Sequence, residues 1–184
     1  MIEIRDMRIE EIEAVCRVDR EAFRSSRFGE LTGLAGQQAE ALGQWQSVKD
    51  FRAYCARHPG RVIVASDGSE IGGFAIWDYD EAVRLGRVYS CALLPAFRGK
   101  GLAVTLLRRL LDMVRERGAK RITASTTHEP RACRMYEKVG LRLAARRHKT
   151  TPNGTPYDCS DYELVFESIS GAAMVVAGAK GRSE

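Results

Sequence analysis

A turn that combines glycines with basic residues offers the clearest chemistry in this sequence. It connects a predicted strand at residues 86–94 to a predicted helix at residues 102–117. The turn carries two basic residues and two glycines, which are Arg98, Gly99, Lys100 and Gly101. Glycine lets the backbone approach a ligand closely, the first amides of a helix have no intrahelical partner, and the helix dipole favours an anion. The segment therefore predicts a binding site for the phosphate groups of a cofactor.

Three phosphate-binding patterns and an ordinary strand–turn–helix connection compete as interpretations of this turn. The dinucleotide fingerprint G-x-G-x-x-G, or its variant ending in Ala, is incomplete because Val104 stands at the last position. The nucleotide P-loop is also incomplete, since Leu94 occupies the position of its first glycine. A third pattern, R-x-x-G-x-A, fits residues 98–103. Taken alone, the turn leaves the third pattern and the ordinary connection open.

A second motif follows a predicted strand at residues 120–126. It matches the pattern N-x-x-A-x-x-x-Y-E-K-x-G-F at Ala132, Tyr136, Glu137, Lys138 and Gly140. The substituted positions are Glu129 for the Asn and Leu141 for the Phe. In this order, the two motifs resemble the acetyl-CoA pyrophosphate loop and the second hallmark of the GNAT superfamily of N-acetyltransferases. The resemblance is specific over residues 88–141 and extends over residues 1–166 by the order of elements.

The resemblance implies the GNAT fold of the α/β (α+β) class, a mixed, mostly antiparallel seven-stranded sheet flanked by helices on both faces. It also implies that the fourth and fifth strands splay apart and that the pantetheine arm of acetyl-CoA lies between them. An ordinary buried strand is the alternative interpretation of residues 91–93. No metal is expected. The implied cofactor-binding residues are Cys91, Ala92, Leu93, Arg98, Gly99, Lys100, Gly101, Leu102, Ala103, Val104 and Glu129.

The same resemblance implies a catalytic role for Tyr136 as the general acid that protonates the coenzyme thiolate. A phenol with a pKa near 10 stays protonated at neutral pH, so the role is chemically reasonable. The alternative is a core aromatic residue on the apolar face of a short helix, with Ala132 and Val139 as neighbours.

The general base is left open by the sequence. Relatives that acetylate protein N-termini place a Glu on the fifth strand, twelve residues before the Tyr, where this chain has Ala124. The candidate bases are Glu81, after the third strand, and His128, just after the fifth, whose imidazole titrates near neutral pH. Asp80 and Glu129 are alternatives at the same two places. A solvated surface histidine is the plain interpretation of His128, and a water chain or an already neutral amine would also serve.

The predicted function is transfer of an acetyl group from acetyl-CoA to a primary amine by direct attack in a ternary complex. No cysteine is placed for a covalent acetyl-enzyme. The acceptor is either a protein amine or a small amine, and residues 24–57 are expected to cover its groove, with Trp45, Phe51 and Tyr54 as groove walls or as core. The alternative is a non-catalytic acyl-CoA-binding or regulatory module, which the missing carboxylate at Ala124 favours and Tyr136 opposes.

Composition and charge fit a single N-acetyltransferase domain at residues 1–166, with a flexible tail at residues 167–184. Residues 98–121 carry eight basic and two acidic residues, against a net charge of +5 for the chain, so a positive field surrounds the predicted phosphate site. Neither nucleic acid nor a membrane is an expected partner, because the sequence lacks an aromatic-interleaved basic strand and any apolar run near the length of a bilayer span. The five scattered cysteines suit a reducing cytoplasm. The expected oligomeric state is a monomer or a homodimer.

Periodicity predicts the elements that position these residues. Apolar residues at helical spacing indicate a helix over residues 8–23, and alternation indicates a first strand over residues 2–7. A further helix is expected within residues 35–57. The remaining predicted elements are strands at 61–66 and 71–79, a short helix around residue 132, a strand from residue 141, and a last strand at 157–166.

Overall fold

The computed structural model describes residues 1–24, 48–127, 129–150 and 154–166. Its strands are β1 (Glu3–Asp6), β2 (Val62–Ser66), β3 (Ile71–Asp80), β4 (Leu85–Leu93), β5 (Arg121–Thr127), β6 (Arg142–Thr150) and β7 (Pro156–Val165). The α-helices in these ranges are α1 (Ile12–Arg24), α2 (Val48–Arg57), α3 (Leu102–Glu116) and α4 (Pro130–Lys138), with 3-10 turns at Ile9–Glu11 and Pro95–Phe97. Each predicted strand lies within one residue of its observed bounds.

All seven strands form one sheet in the order β1-β2-β3-β4-β5-β7-β6. Every neighbouring pair is antiparallel except β4 and β5, which run parallel. The predicted mixed, mostly antiparallel seven-stranded sheet is therefore confirmed. No helix within the described residues has both the length and the apolar character needed to cross a bilayer.

Helices cover both faces of the centre of the sheet. Residues 71–77 of β3 are buried without alternation, which is typical of a strand packed on two sides. Both α1 and α3 pack on β3 and β4, and they do so from opposite faces, which we call the α1 face and the α3 face. The apolar stripes that make these contacts recur at helical spacing: Ile12, Val15, Val18 and Ala22 in α1, and Leu106, Leu107, Leu110, Leu111 and Val114 in α3. Helix α4 contacts α3 and therefore lies on the α3 face.

The parallel pairing of β4 and β5 stops halfway along β4. It runs from Leu85, opposite Arg121, to Val88, opposite Ala124. Beyond this point β4 stays with β3 and β5 stays with β7, so the predicted divergence of the fourth and fifth strands is confirmed. We call the gap between residues 89–93 and residues 125–127 the wedge.

A β-bulge lies at the vertex of the wedge. Trp77 is opposite Val88, but the preceding Ile76 is opposite Ser90, so Tyr89 is the extra residue in β4. A bulge bends its strand and increases the local twist. The bulge therefore accounts for the departure of β4 from β5 immediately after their last shared pair.

Candidate active site

The loop before α3 forms a glycine-lined cradle at residues 98–104. Gly99 and Gly101 have φ angles of 78° and 75°, in the left-handed region that favours glycine. A Cβ atom added at either position would meet no heavy atom within 4 Å. The space beside both glycines is thus open to a ligand, while the backbone conformation disfavours any side chain there.

The cradle presents a row of backbone amides without partners. No N–H of residues 99–104 donates a hydrogen bond to any described residue, and the first intrahelical bond runs from the Thr105 amide to the Gly101 carbonyl at 3.1 Å. Gly101 caps α3 without a side chain, so nothing in the cap itself covers these amides. Unpaired amides at the positive end of a helix dipole bind phosphate well.

Basic side chains stay close to the cradle. The Arg98 Nε donates to the Leu93 carbonyl at 3.0 Å, and the Lys100 Nζ donates to the Ala96 carbonyl at 3.1 Å. Both cations are thereby held beside the open amides. The donor set of backbone N–H groups, one guanidinium and one ammonium fits a diphosphate. Among the residues described, no three His, Cys, Asp or Glu side chains gather as a metal site.

The edge of β4 that borders the wedge offers further backbone groups. The Leu94 amide donates to Gly72 of β3, so alternation directs the polar backbone groups of Cys91 and Leu93 away from β3 and into the wedge. Those of Ala92 point to β3. The Leu93 carbonyl is already occupied by Arg98, which leaves the Leu93 amide and both backbone groups of Cys91 for an amide-bearing ligand.

Tyr136 stands on the α3 face of the wedge. Its side chain in α4 is only 5% exposed, and its ring packs against Tyr162 of β7 with 5.4 Å between centroids. Its hydroxyl makes no hydrogen bond within the described residues. Burial raises the pKa of Tyr136 well above its ordinary value, and the Cys91 and Cys133 thiols add to the rise. The phenol is therefore neutral and keeps its proton, so its position in the core does not exclude the predicted acid role.

The Cys91 thiol belongs to the same apolar environment. Burial raises its pKa to about 12. Because the thiolate, and not the thiol, is the nucleophilic form, Cys91 is a poor nucleophile at neutral pH.

The candidate bases after the third strand are not brought together with Tyr136. Glu81 lies exposed in the turn that precedes β4, and the six steps of the strand from Leu85 to Cys91 span about 20 Å. Asp80 accepts from the Ala82 amide in the same turn. His128 lies outside the described residues.

Glu129 has a structural role that the motif did not indicate. Its Oε2 accepts from the Ala132 amide at 2.8 Å, which makes it the N-cap of α4. Carboxylates satisfy unpaired amides at helix N-termini. The residue that replaces the Asn of the family pattern therefore fixes the start of the helix that carries Tyr136.

Sequence reasoning missed a set of polar residues on the α1 face of the wedge. Ser125 of β5 donates to Asp161 of β7 at 2.8 Å, and Asp161 pairs with Arg147 of β6 at 2.5 Å. The hydrogen bond from Arg147 lowers the pKa of Asp161, so the carboxylate is ionised. These residues meet only through strand pairing across the sheet. The signal in the sequence was the presence of charged residues inside predicted strands.

Of the three residues expected to wall the acceptor groove, two are core residues and one lies outside the described residues. Phe51 is 2% exposed, and the buried Tyr54 hydroxyl donates to the Trp77 carbonyl at 2.8 Å, so both are core residues. Trp45 lies outside the described residues. Asp78, another acid near the wedge, pairs with Arg61 and accepts from Tyr89 at 3.0 Å.

Comparison with known proteins connects this site to one family. A sequence model of the Acetyltransferase (GNAT) family matches residues 21–141. The L-2,4-diaminobutyric acid acetyltransferase of Nocardia farcinica is 28% identical over 138 residues, which cover 68% of this chain and 72% of that protein. The spore coat polysaccharide biosynthesis protein SpsD of Bacillus subtilis is 27% identical over 130 residues, or 70% of this chain. That match spans only 43% of SpsD.

Solved structures share the fold. The yncA protein of Salmonella typhimurium, whose structure contains its cofactor acetyl-CoA, superposes with a TM-score of 0.73 at 18% identity. The superposition covers 93% of this chain and 97% of that one.

Proposed function

The chain belongs to the GNAT family of acetyltransferases, and from that premise we propose that it transfers an acetyl group from acetyl-CoA to a primary amine by direct attack in a ternary complex. One observation carries the proposal. Arg98, beside the open cradle, donates to Leu93, and the neutral Tyr136 phenol lies near Cys91, so both sites border the same edge of β4.

Different groups among the described residues bind different parts of acetyl-CoA. The amides of residues 99–104 bind the diphosphate, and Arg98 and Lys100 add positive charge. The free backbone groups of Cys91 and Leu93 bind the amides of the pantetheine arm as an added strand would. Bound acetyl-CoA supplies the activated acetyl group as a thioester.

Tyr136 holds the proton that the departing sulfur requires. Its buried phenol stays protonated across the physiological range, and its hydroxyl has no competing partner among the described residues. The neutral Cys91 thiol favours direct attack by the amine over a covalent acetyl-enzyme. His128, the next residue in sequence after β5, stays a candidate base, whereas the position of Glu81 beyond the far end of β4 does not favour that residue. The scattered free cysteines of the described chain favour a cytoplasmic protein.

Release of free thiol from acetyl-CoA in the presence of a panel of amines tests the activity. The panel spans protein N-terminal peptides, polyamines, amino acids and aminoglycosides. We expect turnover with at least one class. Tight binding of acetyl-CoA with no turnover on any amine would instead favour a non-catalytic acyl-CoA-binding module.

The cradle is tested separately by the change Gly101→Glu. We expect a loss of acetyl-CoA affinity of at least 100-fold in calorimetry, because a carboxylate would enter the open space beside the amides and repel the diphosphate. The matched control is Gly140→Glu, since Gly140 also has a positive φ (91°) and open space around its Cβ position but lies after α4. The control shares the backbone strain and keeps the affinity. Equal affinity in the two variants would refute the cradle.

A further inference from the structure

Two polar side chains on β4 are at least partly buried and have no partner in the part of the chain that the structure describes. Arg87 is half-buried and makes neither an ion pair nor a hydrogen bond within the described residues. Three residues later, the Ser90 hydroxyl is buried and has no partner in the same part of the chain. Buried polar groups in native proteins nearly always have partners. The buried Ser90 hydroxyl therefore points to a ligand, and the Arg87 guanidinium lies three residues before it on the same strand.

Both side chains lie on the α1 face, opposite Tyr136. A Cβ at Gly86 would collide with Val114 of α3, so Gly86 points to the α3 face and Arg87 points away from it. Arg87 is opposite Asp78 on β3, and Ser90 is opposite Ile76, two residues before Asp78. Residues two apart on a strand share a face, so Arg87 and Ser90 share one.

Asp78 does not neutralise Arg87. One of its carboxylate oxygens pairs with Arg61, and the other accepts from the Tyr89 hydroxyl. Arg87 therefore keeps its charge and its hydrogen-bond donors beside a carboxylate that is already satisfied.

A negative group lies across the vertex of the wedge from Arg87. Arg87 is the register partner of Thr123 on β5, and Ser125 lies two residues further along the same face. One strand spacing and two residues of rise place the Cα atoms of Arg87 and Ser125 about 8 Å apart. Ser125 donates to Asp161, whose other carboxylate oxygen pairs with Arg147, so Asp161 is satisfied like Asp78 and Arg87 keeps its donors for a ligand.

We propose that the acceptor is a small amino carboxylate and that Arg87 is the residue that selects it; this inference rests on the proposed function above. The guanidinium fork of Arg87 and the Ser90 hydroxyl bind the carboxylate, since a planar guanidinium matches a carboxylate in a bidentate pair. Polyamines have no carboxylate, and the N-terminal residue of a protein has none within reach of Arg87. Neither class of amine would therefore pair with Arg87.

Pairs of acceptors that differ only at the carboxylate test the selection. Short amino acids, including ω-amino and diamino acids, are compared with their primary amides by following thiol release from acetyl-CoA. We expect wild-type kcat/KM to favour the acids at least tenfold. Arg87→Ala lowers kcat/KM for the acids by 10- to 100-fold, leaves the amides unchanged, and leaves the affinity for acetyl-CoA unchanged, because a hydrogen bond to a charged group contributes about 1.5–3 kcal/mol. Arg87→Lys restores part of the loss.

The matched control is Arg108→Ala, an exposed arginine of α3 on the other face, which should leave both classes of acceptor unchanged. Equal activity of the wild-type protein on acids and amides, or an equal loss on both in Arg87→Ala, would overturn the inference while the acetyltransferase activity stands.

Binding without turnover separates the two proposals. Protein saturated with coenzyme A is titrated with the same acids and amides in a calorimeter. Binding of an acid that Arg87→Ala abolishes supports the carboxylate site even if no acetyl transfer occurs, in which case only the proposed activity fails. If no acid binds and none is acetylated, the carboxylate site is wrong.

Discussion

The two faces of the wedge differ in the charge state of the side chains that line them. On the α3 face, burial raises the pKa values of Tyr136 and Cys91, so both groups stay neutral. On the α1 face, Asp161 is ionised and pairs with Arg147, and Arg87 has no ion-pair partner among the described residues. A single splayed strand pair thus presents an apolar surface to one side and a charged surface to the other. The contrast suits a reaction in which one side stores a proton and the other recognises a polar substrate.

The largest expected effect comes from removing the stored proton. Tyr136→Phe should lower kcat by about 10²- to 10⁴-fold, the range for loss of a general acid, with little change in acetyl-CoA affinity. Steady-state kinetics and calorimetry measure the two quantities. Tyr162→Phe is the matched control, because it removes the same atom from a ring centred 5.4 Å away and should cost less than tenfold. Comparable losses of kcat in both variants would mean that the effect comes from packing, and the two faces would then not differ in the proposed way.

A second test uses the opposite pKa shifts of the two faces. Above the ordinary thiol pKa, the unfolded chain loses a proton that folded Cys91 keeps until about pH 12, so the free energy of unfolding falls by about 1.4 kcal/mol per pH unit. At low pH the unfolded chain binds a proton at Asp161 before the folded protein does, so stability falls there as well.

Thermal denaturation across the pH range measures both decreases in stability, which we call the alkaline limb and the acid limb. Cys91→Ala should flatten the alkaline limb, and Asp161→Asn should flatten the acid limb. If Cys91→Ala left the alkaline limb unchanged, the α3 face would not be the apolar environment described.

The smallest expected effect is a gain in stability. Ser90→Ala removes a buried hydroxyl without a partner and should raise the free energy of unfolding by about 1 kcal/mol, while raising the KM for the acceptor several-fold. In the control Ser66→Ala, the lost hydroxyl donates to the Glu70 carbonyl at 2.9 Å, so this change should destabilise the protein. Chemical denaturation of both variants decides whether Ser90 is held for function or for folding.

The sequence predicted the elements because each carries a local signal. Apolar periodicity located α1 and α3, and the glycines of the loop before α3 marked a left-handed backbone that both residues adopt. Pairings between distant residues have no such signal. Ser125 and Asp161 meet only through β5 and β7, and the bulge at Tyr89 depends on the register between β3 and β4. The N-cap that Glu129 forms on α4 was not predicted, because the motif assigned that position to cofactor contact.

The wedge also has a consequence for how the sheet is held together. The block β1–β4 and the block β5-β7-β6 join along only four residue pairs, Leu85 to Val88 with Arg121 to Ala124. Behind this short seam, Val114 of α3 and Ile122 approach the bare backbone of Gly86 so closely that a methyl group would not fit. The opening angle between the blocks is therefore set from inside the core. A larger side chain at position 86 would therefore push α3 away from the sheet at the seam where the two blocks meet.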